Sequence, residues 1–110
     1  MVGLELLCFK LISAAGTARS CNIEAIQEAK KGNFEKAEEL IEEGKKQLIN
    51  AHDVHNELLQ FNADGGNIGG SMLVMHSEDQ LMSTETLQIL AVEFIDTYRR
   101  LSDLTGQKVN

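Results

Sequence analysis

Hydrophobic and small residues recur at intervals of three and four along most of the chain, which is the spacing of one face of an α-helix. The pattern is interrupted by KKGN at 30–33 and by the glycine-rich segment ADGGNIGG at 63–70. Gly32 followed by Asn33 is typical of a helix stop and of the cap of the next helix, and four glycines in eight residues do not fit a helix interior. The sequence therefore predicts three helices, at about 3–31, 34–62 and 71–103, with a flexible connection at 65–70 and a frayed tail from Ser102.

Each predicted helix is much longer than the average of about 11 to 12 residues. Such helices are stable when they pack lengthwise against one another. The chain has 110 residues, no proline and few aromatic residues, which favours helices over strands and tight turns. We predict an all-α protein, an antiparallel three-helix bundle that forms a single domain over residues 1–110.

The first two predicted helices each carry one apolar stripe. On the first helix the stripe comprises Leu4, Leu7, Leu11, Ala14, Ala18, Cys21 and Ala25. On the second it comprises Phe34, Ala37, Ile41, Gly44, Leu48, Ala51, His55 and Leu58. Both stripes are predicted to be core, and the glutamates and lysines opposite the second stripe are predicted to be a solvated face.

The third predicted helix carries two stripes. One comprises Leu73, His76, Gln80, Ser83, Leu87, Leu90, Phe94 and Leu101, and the other comprises Met72, Met75, Asp79, Met82, Thr86 and Ile89. A helix in a three-helix bundle needs one buried stripe, so the second stripe implies another surface that covers it. We therefore expect the protein to associate with itself through this helix.

Asp79 lies within the second stripe, between Met75 and Met82. A carboxylate buried there is costly unless it is paired, protonated or bound to a metal. In a ring of symmetry copies the Asp79 side chains could converge on one cation. Alternatively, Asp79 lies at the edge of the stripe and points to water.

The three histidines are the candidates for chemistry. His76 is followed by Asp79 and Gln80 at offsets of three and four, which places these groups on one surface. This arrangement suits either a nucleophilic histidine or a hydrogen-bonded structural one. His52 and His55 form an HxxH pair that could bind zinc if another segment supplied a third ligand.

Charge and composition exclude several classes of protein. The net charge of −7 argues against nucleic-acid binding and favours a basic protein partner. No apolar run approaches the roughly 20 residues of a membrane span, and the N-terminus lacks the features of a signal peptide. We expect a cytoplasmic protein with no direct membrane insertion. Cys8 and Cys21 are separated by about 20 Å along one helix and cannot pair, and neither has a neighbour that suggests catalysis.

Several segments together resemble a known family. They are AGTARS at 15–20 preceded by Leu11 and Ile12, Gly32 with Phe34 and Ala37, Ala51 followed by His52, and HSEDQLMS at 76–83. This pattern, over essentially the whole chain, resembles the lactose/cellobiose-type enzyme IIA proteins of the phosphoenolpyruvate-dependent sugar phosphotransferase system.

The resemblance implies a function and an assembly. It implies a homotrimer of three-helix bundles in which His76 accepts a phosphoryl group from the histidine phosphocarrier protein and passes it to a cysteine of the cognate enzyme IIB. It also implies that Asp79 of three subunits shares a divalent cation, expected to be Mg²⁺. Gln80, Ser77 and His52 are expected to support the site. The transported sugar is expected to be a β-linked disaccharide, and the candidates are lactose, cellobiose, chitobiose and related β-glucosides.

The chain departs from the resembled pattern at three positions. Glutamine is common where this chain has Glu78 and His55, and histidine is common where it has Gln80. A carboxylate at Glu78 is expected to raise the basicity of His76 and to destabilise its phosphorylated form. The alternative function is a helical adaptor or regulatory bundle whose histidines are structural or bind metal.

Overall fold

The computed structural model describes residues 2–66 and 71–106, and these residues form three α-helices. They are α1 (Val2–Lys30), α2 (Phe34–Ala63) and α3 (Met72–Thr105), and no strand occurs in the described ranges. The helices form a rod of 59 × 20 × 17 Å. The predicted all-α, three-helix bundle is therefore confirmed, while residues 67–70 of the predicted flexible connection lie outside the described ranges.

The turn between α1 and α2 follows the predicted stop, but Asn33 acts differently from the prediction. Gly32 adopts a positive φ of 88°, which favours glycine. The Asn33 side chain makes no cap on α2, and its Nδ2 instead donates to Glu28 Oε1 at 3.0 Å. This bond, followed by one from Lys31, lowers the pKa of Glu28 below its ordinary value. Asn33 therefore occupies the predicted N-cap position of α2, but its side chain reaches back to α1 and makes no capping hydrogen bond.

The ends of α3 are both well defined. Ser71 precedes the helix, and its Oγ accepts a hydrogen bond from the Val74 N–H at 3.3 Å. At the other end, Gly106 has a φ of 70°, and its N–H donates to the Ser102 carbonyl at 2.9 Å. The prediction of a frayed tail is wrong for residues 102–105, which are helical.

The core consists of two apolar clusters, one in each half of the rod. The first contains Cys8, Leu11, Ala14, Ala51, Val54, Leu58, Val74 and Leu81. The second contains Ala25, Ala29, Ala37, Ile41, Ala91 and Ile95. Most of the stripes predicted on the first two helices are therefore buried. The remaining stripe members are only partly buried: Leu4, Leu7, Phe34 and Leu48 pack against the clusters, and Cys21 and His55 lie at the edge of the core.

The buried face of α3 is neither of the two predicted stripes. It comprises Val74, Ser77, Leu81, Thr84, Gln88, Ala91 and Ile95, which alternate at spacings of three and four. Polar residues at three of these positions hide the seam from a search for apolar periodicity. Of the stripe predicted to be core, His76, Ser83, Leu90, Phe94 and Leu101 are exposed and the others are partly buried.

A polar layer separates the two clusters. Thr84 Oγ1 donates to the Ala15 carbonyl, and Gln88 Nε2 donates to the Ile41 carbonyl, both at 3.3 Å. Asn22 is completely buried opposite Gly44, where a Cβ atom would lie 2.9 Å from Asn22 Oδ1. Through Thr84 and Gln88, α3 is tied to both other helices at the middle of the rod.

Candidate functional site

His76 lies on the exposed surface of α3, in the second turn of the helix. The helix begins at Met72, so only one turn precedes the histidine, and side chains on a helix lean toward its N-terminus. Within residues 2–66 and 71–106, the imidazole makes no hydrogen bond or ion pair. The structural alternative for His76, a hydrogen-bonded histidine, therefore has no support in this part of the chain.

The three groups predicted to surround His76 are placed differently. Gln80 is partly buried, one turn further along the same face, and Asp79 is exposed beside it. Ser77 is completely buried, and its Oγ donates to the Val74 carbonyl at 2.8 Å. Ser77 thus faces the core, and its hydroxyl is not available on the surface that carries His76.

The other two histidines contact glutamates of α3. His52 Nε2 lies 2.9 Å from Glu85 Oε2, and both side chains are partly exposed. His55 Nε2 lies 2.8 Å from Glu78 Oε1, and these side chains are only 20% and 34% exposed. Because each histidine has its own carboxylate, the two do not converge. No group of three metal-binding side chains occurs among the described residues, so the HxxH zinc alternative is not supported there.

The contact with His55 changes the role expected for Glu78. Residues two apart on a helix do not face each other, and the Glu78 carboxylate is directed toward α2 while His76 faces outward. The expectation that Glu78 acts directly on the basicity of His76 therefore has no geometric support. Glu78 and His55, both departures from the resembled pattern, contact each other. Sequence reasoning missed this pair because the register of α2 against α3 is visible only in the fold.

An exposed apolar surface lies beside the histidine. Its members lie on α3 and include Met72, Met75, Met82 and Ile89, which are 82%, 59%, 62% and 67% exposed. Asp79 is also exposed, between Met75 and Met82. A contiguous exposed apolar surface of this kind is typical of an interaction site. The second stripe predicted from the sequence is therefore uncovered within the protomer.

The cysteines do not compete with His76 as nucleophiles. Cys8 is completely buried in the first cluster. Burial, followed by the carboxylates of Glu43 and Glu24, raises the pKa of the Cys21 thiol and so disfavours its reactive thiolate form. Neither thiol belongs to the surface around His76.

No helix among the described residues is long and apolar enough to cross a membrane.

Comparisons with known proteins agree on one family. The profile of the family described as "PTS system, Lactose/Cellobiose specific IIA subunit" matches residues 6–99. The chain is 40% identical over 97 residues to the PTS system galactose-specific EIIA component of Lactococcus lactis subsp. cremoris (strain MG1363), which covers 88% of this chain and 84% of the relative. It is 37% identical over 95 residues to the PTS system oligo-beta-mannoside-specific EIIA component of Bacillus subtilis (strain 168), with 86% of each covered.

The fold is similar to a solved structure of the same description. The crystal structure of the PTS cellobiose specific enzyme IIA from Bacillus anthracis superimposes with a TM-score of 0.88 at 39% identity, and 94% of each chain is covered. The similarity therefore includes all three helices and the segment that carries His76.

Proposed function

The chain belongs to the lactose/cellobiose-specific IIA family of the phosphotransferase system, and on that premise we propose that it is a phosphoryl carrier whose acceptor is His76. In this proposal the histidine phosphocarrier protein donates the phosphoryl group, and a cysteine of the cognate enzyme IIB accepts it. The observation that carries the proposal is the exposed imidazole of His76 in the second turn of α3, which has no hydrogen-bond partner among the described residues.

The chemistry requires only one side chain on this protein. A ring nitrogen of neutral His76 forms a bond to phosphorus while the bond from phosphorus to the donor's histidine breaks. His76 loses one proton and the donor's imidazole gains one. In the second step the thiolate of enzyme IIB bonds to phosphorus, the bond to His76 breaks, and His76 takes up a proton again. Since phosphoryl transfer has a loose transition state, catalysis consists mainly of aligning His76 with each partner.

The surroundings of His76 favour the phosphorylated form. The first amides of a helix have no acceptor within it, so the N–H groups of Met72 and Leu73 leave partial positive charge one turn before His76. Gln80 lies one turn beyond and can donate from its amide. Ser77 is excluded from this role while its hydroxyl bonds to Val74. The net charge of −7 favours encounter with basic surfaces on the partners.

Phosphorylation can be tested with the purified chain. Incubation with phosphoenolpyruvate, the upstream kinase and the phosphocarrier protein should add one acid-labile phosphate per chain. His76→Gln should take up none, whereas His52→Gln, which changes another exposed histidine, should still be labelled. Wild-type protein without label, or full labelling of His76→Gln, would contradict the carrier function and favour the adaptor alternative.

We also propose that the protomers are antiparallel bundles that associate as a homotrimer through the exposed apolar surface of α3. The antiparallel order is supported by contacts between α2 and α3 that run from Glu38–Arg99 at one end to His55–Glu78 at the other. Met75→Glu places a charge in this surface and should yield monomers in sedimentation velocity. Leu104→Glu changes a residue that is also exposed, near the end of α3, and should leave the trimer intact. A wild-type monomer would refute the trimer.

Asp79 is proposed to bind a divalent cation in that trimer, expected to be Mg²⁺. An exposed carboxylate amid apolar side chains fits a hard cation, but a single protomer offers one such ligand, so three copies would have to share the ion. Bound, the cation would neutralise the three carboxylates and stabilise the assembly. Asp79→Leu should remain trimeric in EDTA. The oligomeric mass of the wild-type protein, in contrast, should fall when EDTA removes Mg²⁺. A wild-type trimer that is insensitive to EDTA and contains no metal would contradict this site.

The proposed role lies in the uptake of a β-linked disaccharide. Relatives are described as galactose-, lactose- and oligo-beta-mannoside-specific components, and this carrier would not itself touch the sugar. We propose a cytoplasmic location without direct membrane insertion or nucleic-acid binding, in keeping with partners that exchange phosphoryl groups in solution.

A further inference from the structure

We propose that the contact between His55 and Glu78 positions His76 for phosphoryl transfer by holding the first turns of α3 against α2. The inference rests on the carrier function proposed above. Neither residue touches the reacting atoms. The two are positioning residues that act through the backbone of the helix on which His76 lies.

The geometry of the pair is that of a strong hydrogen bond. His55 Nε2 and Glu78 Oε1 are 2.8 Å apart, and the ring nitrogen must donate because a carboxylate only accepts. The side chains are 20% and 34% exposed, compared with 47% and 39% for His52–Glu85 and 40% and 64% for Arg99–Glu38. The least exposed of these three pairs between α2 and α3 is therefore the one nearest to His76 along the chain.

The beginning of α3 has few other anchors. Met72, Met75 and His76 are exposed. Ser77 is completely buried, but its side chain is small and its hydroxyl hydrogen-bonds within its own helix. Val74 is buried in the first cluster and Leu73 packs against it, but the next buried apolar residue, Leu81, comes two turns after Val74. Among the described residues, Glu78 supplies the first polar contact from α3 to another helix.

This anchoring matters because alignment is the main contribution that the protein makes to the reaction. Displacement of a reacting group by about 1 Å can reduce a rate by about 100-fold. A segment held by a few buried or partly buried side chains and one hydrogen bond to another helix can open locally when that bond is lost. Loss of the contact should therefore leave His76 chemically intact but less well oriented.

The experiment compares Glu78→Ala with Glu38→Ala. Both variants remove a glutamate that pairs between α2 and α3, but Glu38 contacts Arg99, about 34 Å from His76 along the axis. Glu78→Ala should accelerate amide hydrogen exchange at 75–80 and reduce the single-turnover rate of transfer at saturating donor, each by about tenfold. Glu38→Ala should change neither. Glu78→Gln keeps an acceptor for His55 and should retain most of the rate.

A second set of variants tests whether the residues act as a pair. His55→Ala should match Glu78→Ala, and the double variant should be no slower than either single variant. A rate loss in the double variant equal to the product of the two single losses would overturn the inference. An unchanged transfer rate in Glu78→Ala would do the same. Unchanged amide hydrogen exchange at 75–80 in Glu78→Ala would also overturn the inference, and this measurement does not depend on whether the protein is phosphorylated. Wild-type protein that takes no phosphate would instead refute the carrier function, and with it the catalytic meaning of the pair.

Discussion

Gly44 and Gly16 are both helix-interior glycines, yet replacement by alanine should stabilise the protein only at Gly16. Alanine at such a position stabilises a helix by about 1 kcal/mol when its methyl group has room. A Cβ at Gly16 would meet nothing within 4 Å in the protomer. A Cβ at Gly44 would lie 2.9 Å from Asn22 Oδ1 and 3.5 Å from the Ala18 carbonyl oxygen. Because Asn22 is completely buried, its amide has little space to move.

The magnitude follows from these two opposing contributions. Overpacking of a filled core costs about 1 to 3 kcal/mol. Subtracting the helix gain of about 1 kcal/mol leaves Gly44→Ala between about neutral and about 2 kcal/mol less stable than wild type. Gly16→Ala should be about 1 kcal/mol more stable. The two variants should therefore differ in the free energy of unfolding by about 1 to 3 kcal/mol.

Urea denaturation followed by circular dichroism measures this difference. All proteins should be compared at one concentration, because association adds to apparent stability. In the background of Asn22→Ala the opposing amide is absent, so Gly44→Ala should then stabilise as Gly16→Ala does. If Gly44→Ala raises the urea midpoint in the wild-type background, or if its penalty persists without Asn22, the packing argument is refuted.

Two further predictions concern ionisable groups. Iodoacetamide at pH 8 should modify Cys21 more slowly in the folded protein than after unfolding, because burial and the Glu43 carboxylate raise the pKa of the thiol. Glu43→Gln should accelerate this reaction, and a rate equal to that of wild type would contradict the electrostatic contribution. Glu28→Gln should lower the melting temperature at pH 7 but not at pH 3. The pKa of Glu28 is depressed chiefly by the hydrogen bond from Asn33, so its stabilisation is present above the unfolded pKa of about 4.3 and is lost as pH falls through the lower folded value. An equal loss at both pH values would count against this linkage.

Much of the fold was predictable because it depends on local features. Helix periodicity and the glycines at 32 and 65–70 predicted three helices with bounds within a few residues of those observed. The exposed second stripe of α3 was also predictable, since it is a property of one helix. The apolar pattern assigned His76 to a stripe that the fold leaves partly uncovered, and only the family resemblance implied that His76 faces a partner.

The wrong predictions for the buried face of α3 and for the Asn33 side chain have a common physical cause. Burial on α3 depends on which residues find partners on the other helices, and Thr84 and Gln88 are buried because carbonyl oxygens of Ala15 and Ile41 accept their hydrogen bonds. No single-helix pattern contains this information. Asn33 is a similar case. Its side chain hydrogen-bonds to Glu28 of α1 and does not cap α2, and this depends on the path of the turn between the helices.

The sequence by itself determined the helical class, the helix breaks, the acidic surface and the segment HSEDQLMS, because these follow from local propensity, charge and residue identity. Only the tertiary structure decided which face of α3 is core, that Ser77 turns inward, and that His55 and Glu78 meet. These features depend on the register between helices far apart in the chain, which the packing of all three helices sets together.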